Sequence, residues 1–177
     1  MTTRVAPPAE GEFAAPYARY VSRVGEEDIL EALDRQTAEV NAVLGPLSEE
    51  RSQYRYAPEK WSVREMLGHV ADTEQVMAFR ALAIARGETQ PLPGFDENAW
   101  MVGAPFGGRP LRESLQHFAH LRAANVILLR QLAPEQWLRL GTASGYPVSV
   151  RALAWIMVGH VRHHLAVLAD RYGIPGQ

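Results

Sequence analysis

Apolar residues in this chain recur every three to four positions through four long runs, about residues 27–44, 62–86, 110–132 and 149–172. Nowhere do they alternate with polar residues over the length of a strand. A period near 3.6 puts apolar side chains on one stripe of a helix, and the missing period of two argues against a half-buried sheet. The expected class is therefore all-α, and four helices of about 18 to 25 residues make a four-helix bundle the default architecture. The punctuation agrees. Gly45-Pro46 stops the first run, in which Ile29, Leu30, Leu33, Val40, Val43 and Leu44 keep helical spacing. Ser62 with Glu65 three residues on is a capping box opening the second run, and Gly87 ends it. Pro110 starts the third. Ser149 caps the fourth, which Gly173 and Pro175 close.

Between the runs, residues 48–60 read as a polar connection, 134–137 as a short turn and 141–147 as a loop. Residues 1–24, broken by Pro7, Pro8 and Pro16, read as an irregular N-terminal arm whose aromatics Phe13, Tyr17 and Tyr20 dock on the body. Residues 25–177 read as one bundle domain, a length that suits a single sizeable core. Its least ordinary part is 87–109, with five glycines and three prolines around Phe95, Trp100 and Phe106. A connection this long often covers a site, and it leaves room for a crossover.

Bulk composition narrows the function. The chain has no cysteine, which excludes disulfides, thiolate ligands and a cysteine nucleophile, and fits a reducing cytoplasm. The net charge of −2 implies no nucleic-acid surface. The N-terminus lacks the pattern of a secretory signal, and Arg, His, Glu or Asp interrupt the apolar stretches before about 20 residues, so no membrane partner is expected.

Imidazoles stand out against this background. On a wheel of about 100° per residue, His164 falls about 40° from His160, and Leu153, Ile156, Met157 and Val167 fall within about 60° of it. Both rings leave from the middle of an apolar stripe. His69 shares its face with Met66, Thr73, Val76 and Ala83, mixed with Asp72 and Arg80, which suggests a polar pocket inside the bundle. Glycine precedes both His69 and His160, hinting that another backbone packs close at each point. Neutral imidazoles at i and i+4, with a third from another helix, suit one divalent metal ion with an open position. A satisfied core histidine is the blander reading. His163, about 60° to the other side of His160, is the rival for a ligand place, whereas His117 and His120 are expected near solvent. Asp72 could orient an imidazole or a bound water. There is no HExxH, nucleophile elbow, phosphate loop or dinucleotide fingerprint.

Lys60-Trp61-Ser62-Val63-Arg64-Glu65-Met66-Leu67-Gly68-His69, then Asp72-Thr73-Glu74, Pro93-Gly94-Phe95-Asp96, Ala152-Leu153-Ala154-Trp155 and Gly159-His160 with His163-His164 resemble the DinB/YfiT superfamily in order and spacing, over about residues 25–172. The resemblance implies an up-up-down-down four-helix bundle with a divalent metal on His69, His160 and His164, and a homodimer. It also implies one of several chemistries: hydrolysis, or transfer to or from a low-molecular-weight thiol such as bacillithiol or mycothiol, as in a maleylpyruvate isomerase. Zinc or nickel suits three imidazoles best, with iron or manganese as alternatives. The leading reading is thus a metal-dependent enzyme acting on a small-molecule substrate, with Asp72 and Arg80 as candidate catalytic groups. Glu74, about 140° from His69, reads as structural, and Arg80 could instead pair with Asp96 or Glu97. The alternatives are a non-catalytic metal-binding or stress-linked binding protein, or a polar pocket holding no metal.

Overall fold

The computed structural model describes residues 4–175; residues 1–3 of the expected arm and the last two of the expected domain lie outside the described residues. Four long helices appear where the periodicity places them: α2 (Ile29–Leu44), α4 (Val63–Ala85), α6 (Leu111–Arg130) and α8 (Val150–Tyr172). Their ends have the expected chemistry. The N–H groups of Leu30 and Glu31 donate to the Asp28 carboxylate. Ser62 and Glu65 form both halves of a capping box. Ser149 Oγ accepts from the Ala152 N–H, and Gly173 takes the left-handed conformation that terminates α8.

Shorter elements fill the connections. The arm is not irregular throughout: residues 15–17 form a 3-10 turn leading into α1 (Ala18–Val21). Between α2 and α4 lies α3 (Glu49–Ser52). The 87–109 link holds α5 (Glu97–Gly103) and a 3-10 turn at 105–108, and α7 (Pro134–Trp137) follows α6. The segment expected as a loop at 141–147 is instead most of a hairpin, β1 (Leu140–Ala143) with β2 (Tyr146–Ser149), antiparallel in the register Leu140 to Ser149. Ser144 and Gly145 both have positive φ, so they form the two-residue primed turn whose twist matches paired strands. Leu92 bridges to Ala143, tying the long link to the hairpin.

Polar contacts at the two ends of the bundle establish its directions. At one end, the Glu49 carboxylate after α2 accepts from the Leu111 N–H that starts α6. Arg64 at the start of α4 binds Ser52 Oγ and the Arg109 carbonyl, and the Tyr172 hydroxyl at the end of α8 donates to the Trp61 carbonyl. At the other end, the Ala85 carbonyl closing α4 accepts from Gln136 and Arg139, whose own carbonyl receives the Val150 N–H that begins α8. Helices α2 and α8 thus run one way, α4 and α6 the other. The order is up-down-down-up, not the expected up-up-down-down, because the first and third connections return at the end they leave. The 86–110 link alone travels the length of the bundle, about 34 Å for 23 helical residues. Helices α4 and α8 each pack on two long neighbours, with α2 and α4 on one diagonal and α6 and α8 on the other.

Apolar burial is divided into two clusters. One joins Leu33, Met77, Leu129, Trp155 and Ile156 near the hairpin end, and the other joins Leu44, Val63, Leu67, Phe118 and Leu168 near the opposite end. By length and hydropathy alone α8 could cross a bilayer, despite the interruptions noted above. Here it is the central helix, buried from Ala152 through Val161 and packed on α4, α2 and α1.

Candidate metal centre

Helices α4 and α8 are antiparallel neighbours, and this brings His69 opposite His160 and His164. The Nε2 atoms of His69 and His160 are 3.1 Å apart, and those of His164 and His160 are 3.0 Å apart. One nitrogen from each ring lies within 4.8 Å of the other two, the geometry of a group able to hold one ion. Tetrahedral coordination with bonds of 2.0–2.1 Å separates ligand nitrogens by about 3.3 Å, close to the two separations to His160. Hydrogen bonds alone satisfy the cluster poorly. His160 Nε2 meets two nitrogens at once, and a neutral imidazole presents there either one proton or one lone pair.

Burial keeps all three rings uncharged. It drives His69 down to about 4, with a smaller contribution from the charge of His163. Burial first, and then the neighbouring imidazoles, holds His160 and His164 well below the ordinary histidine value. Three neutral donors at neutral pH are what a cation requires of them. His69 and His160 are buried and His164 only partly so, which puts the approach from solvent on the His164 side. The Nδ1 of His164 is buried with no hydrogen-bond partner among the described residues, as is the Thr73 hydroxyl one turn beyond His69.

Aromatic rings bracket the cluster. Trp61 lies 4.8 Å from the His69 ring, and Tyr20 meets the His160 ring edge-on at 5.3 Å. The expectation that arm aromatics dock on the body thus holds for Tyr20, which comes from α1. Glycine makes this docking feasible: a Cβ on Gly159 would lie 1.9 Å from the Tyr20 carbonyl oxygen. The backbone approach expected before His160 is therefore present. Before His69 the neighbour is a side chain instead, because a Cβ on Gly68 would lie 2.3 Å from the Phe106 ring. His163, the rival ligand, is half-buried outside the trio, against Tyr20 and His164.

The other candidates lie elsewhere. Asp72 makes no hydrogen bond to an imidazole; it lines a cavity of about 500 Å³ with Trp100, Phe106, Arg109 and His117. Burial raises its pKa, partly offset by His117 and Arg109. His117 is accordingly half-buried rather than free in solvent, whereas His120 is exposed. Arg80 is buried and pairs with neither Asp96 nor Glu97, because its Nη2 donates to the Pro93 carbonyl and Ser144 Oγ. Glu74 is structural, as expected. It forms a bidentate pair with Arg122 and accepts from Asn125. Arg122 also reaches Gln36, which donates to the Val158 carbonyl, so one buried network links all four long helices. The sequence reading passed over Arg122, although its place between Phe118 and Val126 at spacings of four marks it as inward-facing.

Residues 32–168 match the DinB superfamily. The chain belongs to that superfamily. A relative from Oceanobacillus iheyensis, named "Putative metal-dependent hydrolase", is 25% identical over 152 residues, covering 81% of this chain and 85% of its own. A protein of Bacillus pumilus with the same name is 29% identical over 151 residues, covering 80% and 83%. Among solved structures, YfiT from Bacillus subtilis, described as a probable metal-dependent hydrolase with an unusual four-helix bundle topology, superposes with a TM-score of 0.72 at 19% identity, over 97% of this chain and 95% of that one. A mycothiol-dependent maleylpyruvate isomerase gives 0.68 at 18% identity, over 88% of this chain and 66% of that one. These two likenesses show the fold.

Proposed function

We propose that His69, His160 and His164 together hold one divalent cation and that the chain is a metal-dependent hydrolase. The observation that carries this reading is the convergence of three uncharged Nε2 atoms that cannot satisfy one another by hydrogen bonding. The names of the two relatives support hydrolysis. A divalent ion there would supply Lewis acidity to an oxygen or sulfur nucleophile. The chain's own residues do the rest. Trp61 and Tyr20 keep water from two of the rings and fix their planes. His163, half-buried against Tyr20 and His164, has its pKa lowered by burial and by Arg23 and Arg19. A second reading, transfer involving a low-molecular-weight thiol, draws its support from the likeness to the mycothiol-dependent enzyme.

Turnover distinguishes them. The zinc-, nickel-, iron- and manganese-loaded chain is assayed against a panel of esters and amides, then against electrophiles with and without cellular thiols. Ester or amide cleavage that chelator abolishes supports hydrolysis. Turnover only with thiol moves the proposal to the second reading. Metal binding with no turnover in either panel overturns the enzymatic claim and leaves a metal-binding protein.

A further inference from the structure

Three arginines are deeply buried, and the fold treats one of them differently. Arg64 is 3% exposed and pairs with Glu49; Arg122 is 1% exposed and pairs with Glu74. Arg80 is 2% exposed, and no carboxylate lies within ion-pairing distance among the described residues. Its Nη2 is spent on Pro93 and Ser144. Among the described residues its Nη1 meets only the Met77 sulfur, at 3.9 Å, and its Nε has no hydrogen-bond partner. A guanidinium carries five N–H donors, so three are left without an oxygen acceptor. A buried, unpaired charge is unfavourable unless an anion or water completes it.

Arg80 lines a cavity of about 320 Å³ whose walls are mainly apolar: Val76 and Phe79 of α4, Leu92, Phe95 and Trp100. The Phe95 and Trp100 rings lie 4.9 Å apart on one side, tilted by 40°. A charged donor in an aromatic-walled cleft fits a small ligand with an apolar body and one anionic group. Asp72 lines the same cavity eight residues earlier on α4, about 12 Å along the helix. That separation leaves the Arg80 end free for the ligand's charge.

We propose that this cleft binds a small organic carboxylate, with one carboxylate oxygen on the Nε–H of Arg80 and the apolar body against Phe79, Phe95 and Trp100. None of the three imidazoles lines the cleft, so the proposal stands independently of the metal.

Chelator-treated full-length protein is titrated with benzoate and, separately, with benzamide, followed by backbone and indole NMR shifts. Benzoate is expected to saturate, shifting the Trp100 indole and the amides of Leu92, Gly94 and Phe95, and to bind about tenfold to a hundredfold more tightly than benzamide, the effect of one charge-assisted hydrogen bond. Arg80→Gln is expected to erase that preference, and Trp100→Ala to weaken both ligands. Should Arg80→Gln fail to fold, the benzoate–benzamide ratio in the native chain and the Trp100→Ala titration still decide. Equal affinity for both ligands, shifts confined to other surfaces, or no saturation overturns the proposal.

Discussion

His69 shows how burial, chiefly, tunes a residue. Its imidazole titrates at about 4 in the fold and near 6.5 in an unfolded chain. Above pH 6.5 the ring is neutral in both states and contributes nothing to pH dependence. Below that, the unfolded chain takes up the proton first, so stability falls with pH until about pH 4, where the folded ring also protonates. The predicted loss from His69 alone is about 3 kcal/mol over that window, at 1.4 kcal/mol per unit. Denaturant midpoints of chelator-treated protein across that range check it: His69→Ala should flatten the slope, and an unchanged slope would be contrary to the account. Glu74 and Arg122 test burial of opposite charges. Glu74→Leu should cost about 3–5 kcal/mol by leaving the guanidinium unpaired, and the double variant Glu74→Leu/Arg122→Met should recover most of that. Chemical unfolding of both variants and of Arg122→Met alone measures the coupling. These residues differ in how far they could be read from sequence. The histidine pair in α8 was legible, because four-residue spacing on an apolar stripe has few interpretations. Arg80 shared a helical face with His69 on the wheel, but three turns of helix separate them, and no wheel reports distance along its axis.

At the scale of elements, the close contact of α1 with α8 gives the clearest test. Gly159→Ala forces a methyl into the Tyr20 backbone, whereas Gly68→Ala forces one into the buried Phe106 side chain, which yields more easily than backbone. The expected losses are about 3 kcal/mol or more for the first and about 1 kcal/mol for the second, read from thermal or chemical unfolding. Equal effects would mean that the arm is loosely held. The elements also show where periodicity stops being informative. Long helices repeat their signal over several turns, so their positions and caps were readable to within a few residues. The hairpin has four residues per strand, and its one strong marker is the Ser144-Gly145 turn. The 87–109 link concealed α5 because a seven-residue helix barely completes two turns.

For the whole molecule, the order of helices and the meeting of His69 with His160 and His164 follow from one feature. The link after α4 runs back along the bundle, making α4 and α6 parallel and leaving α8 to return antiparallel beside α4. Directions could not be read from the chain, since connections of 18 to 25 residues can either turn at one end or cross to the other. The membership of residues 32–168 in the DinB superfamily and the four-helix fold were both legible from the motifs, while the direction each helix takes was not. The antiparallel α4–α8 pair is what brings ring nitrogens from residues 91 positions apart to within 3.1 Å, where one ion is proposed to sit. Metal content of the purified chain, measured by mass spectrometry after dialysis against a mixture of divalent ions, tests that claim most directly. The account predicts about one equivalent bound by the native chain and less than about a tenth after His69→Ala, His160→Ala or His164→Ala. A native chain with no bound metal, or a His69→Ala variant that retains a full equivalent, would contradict it.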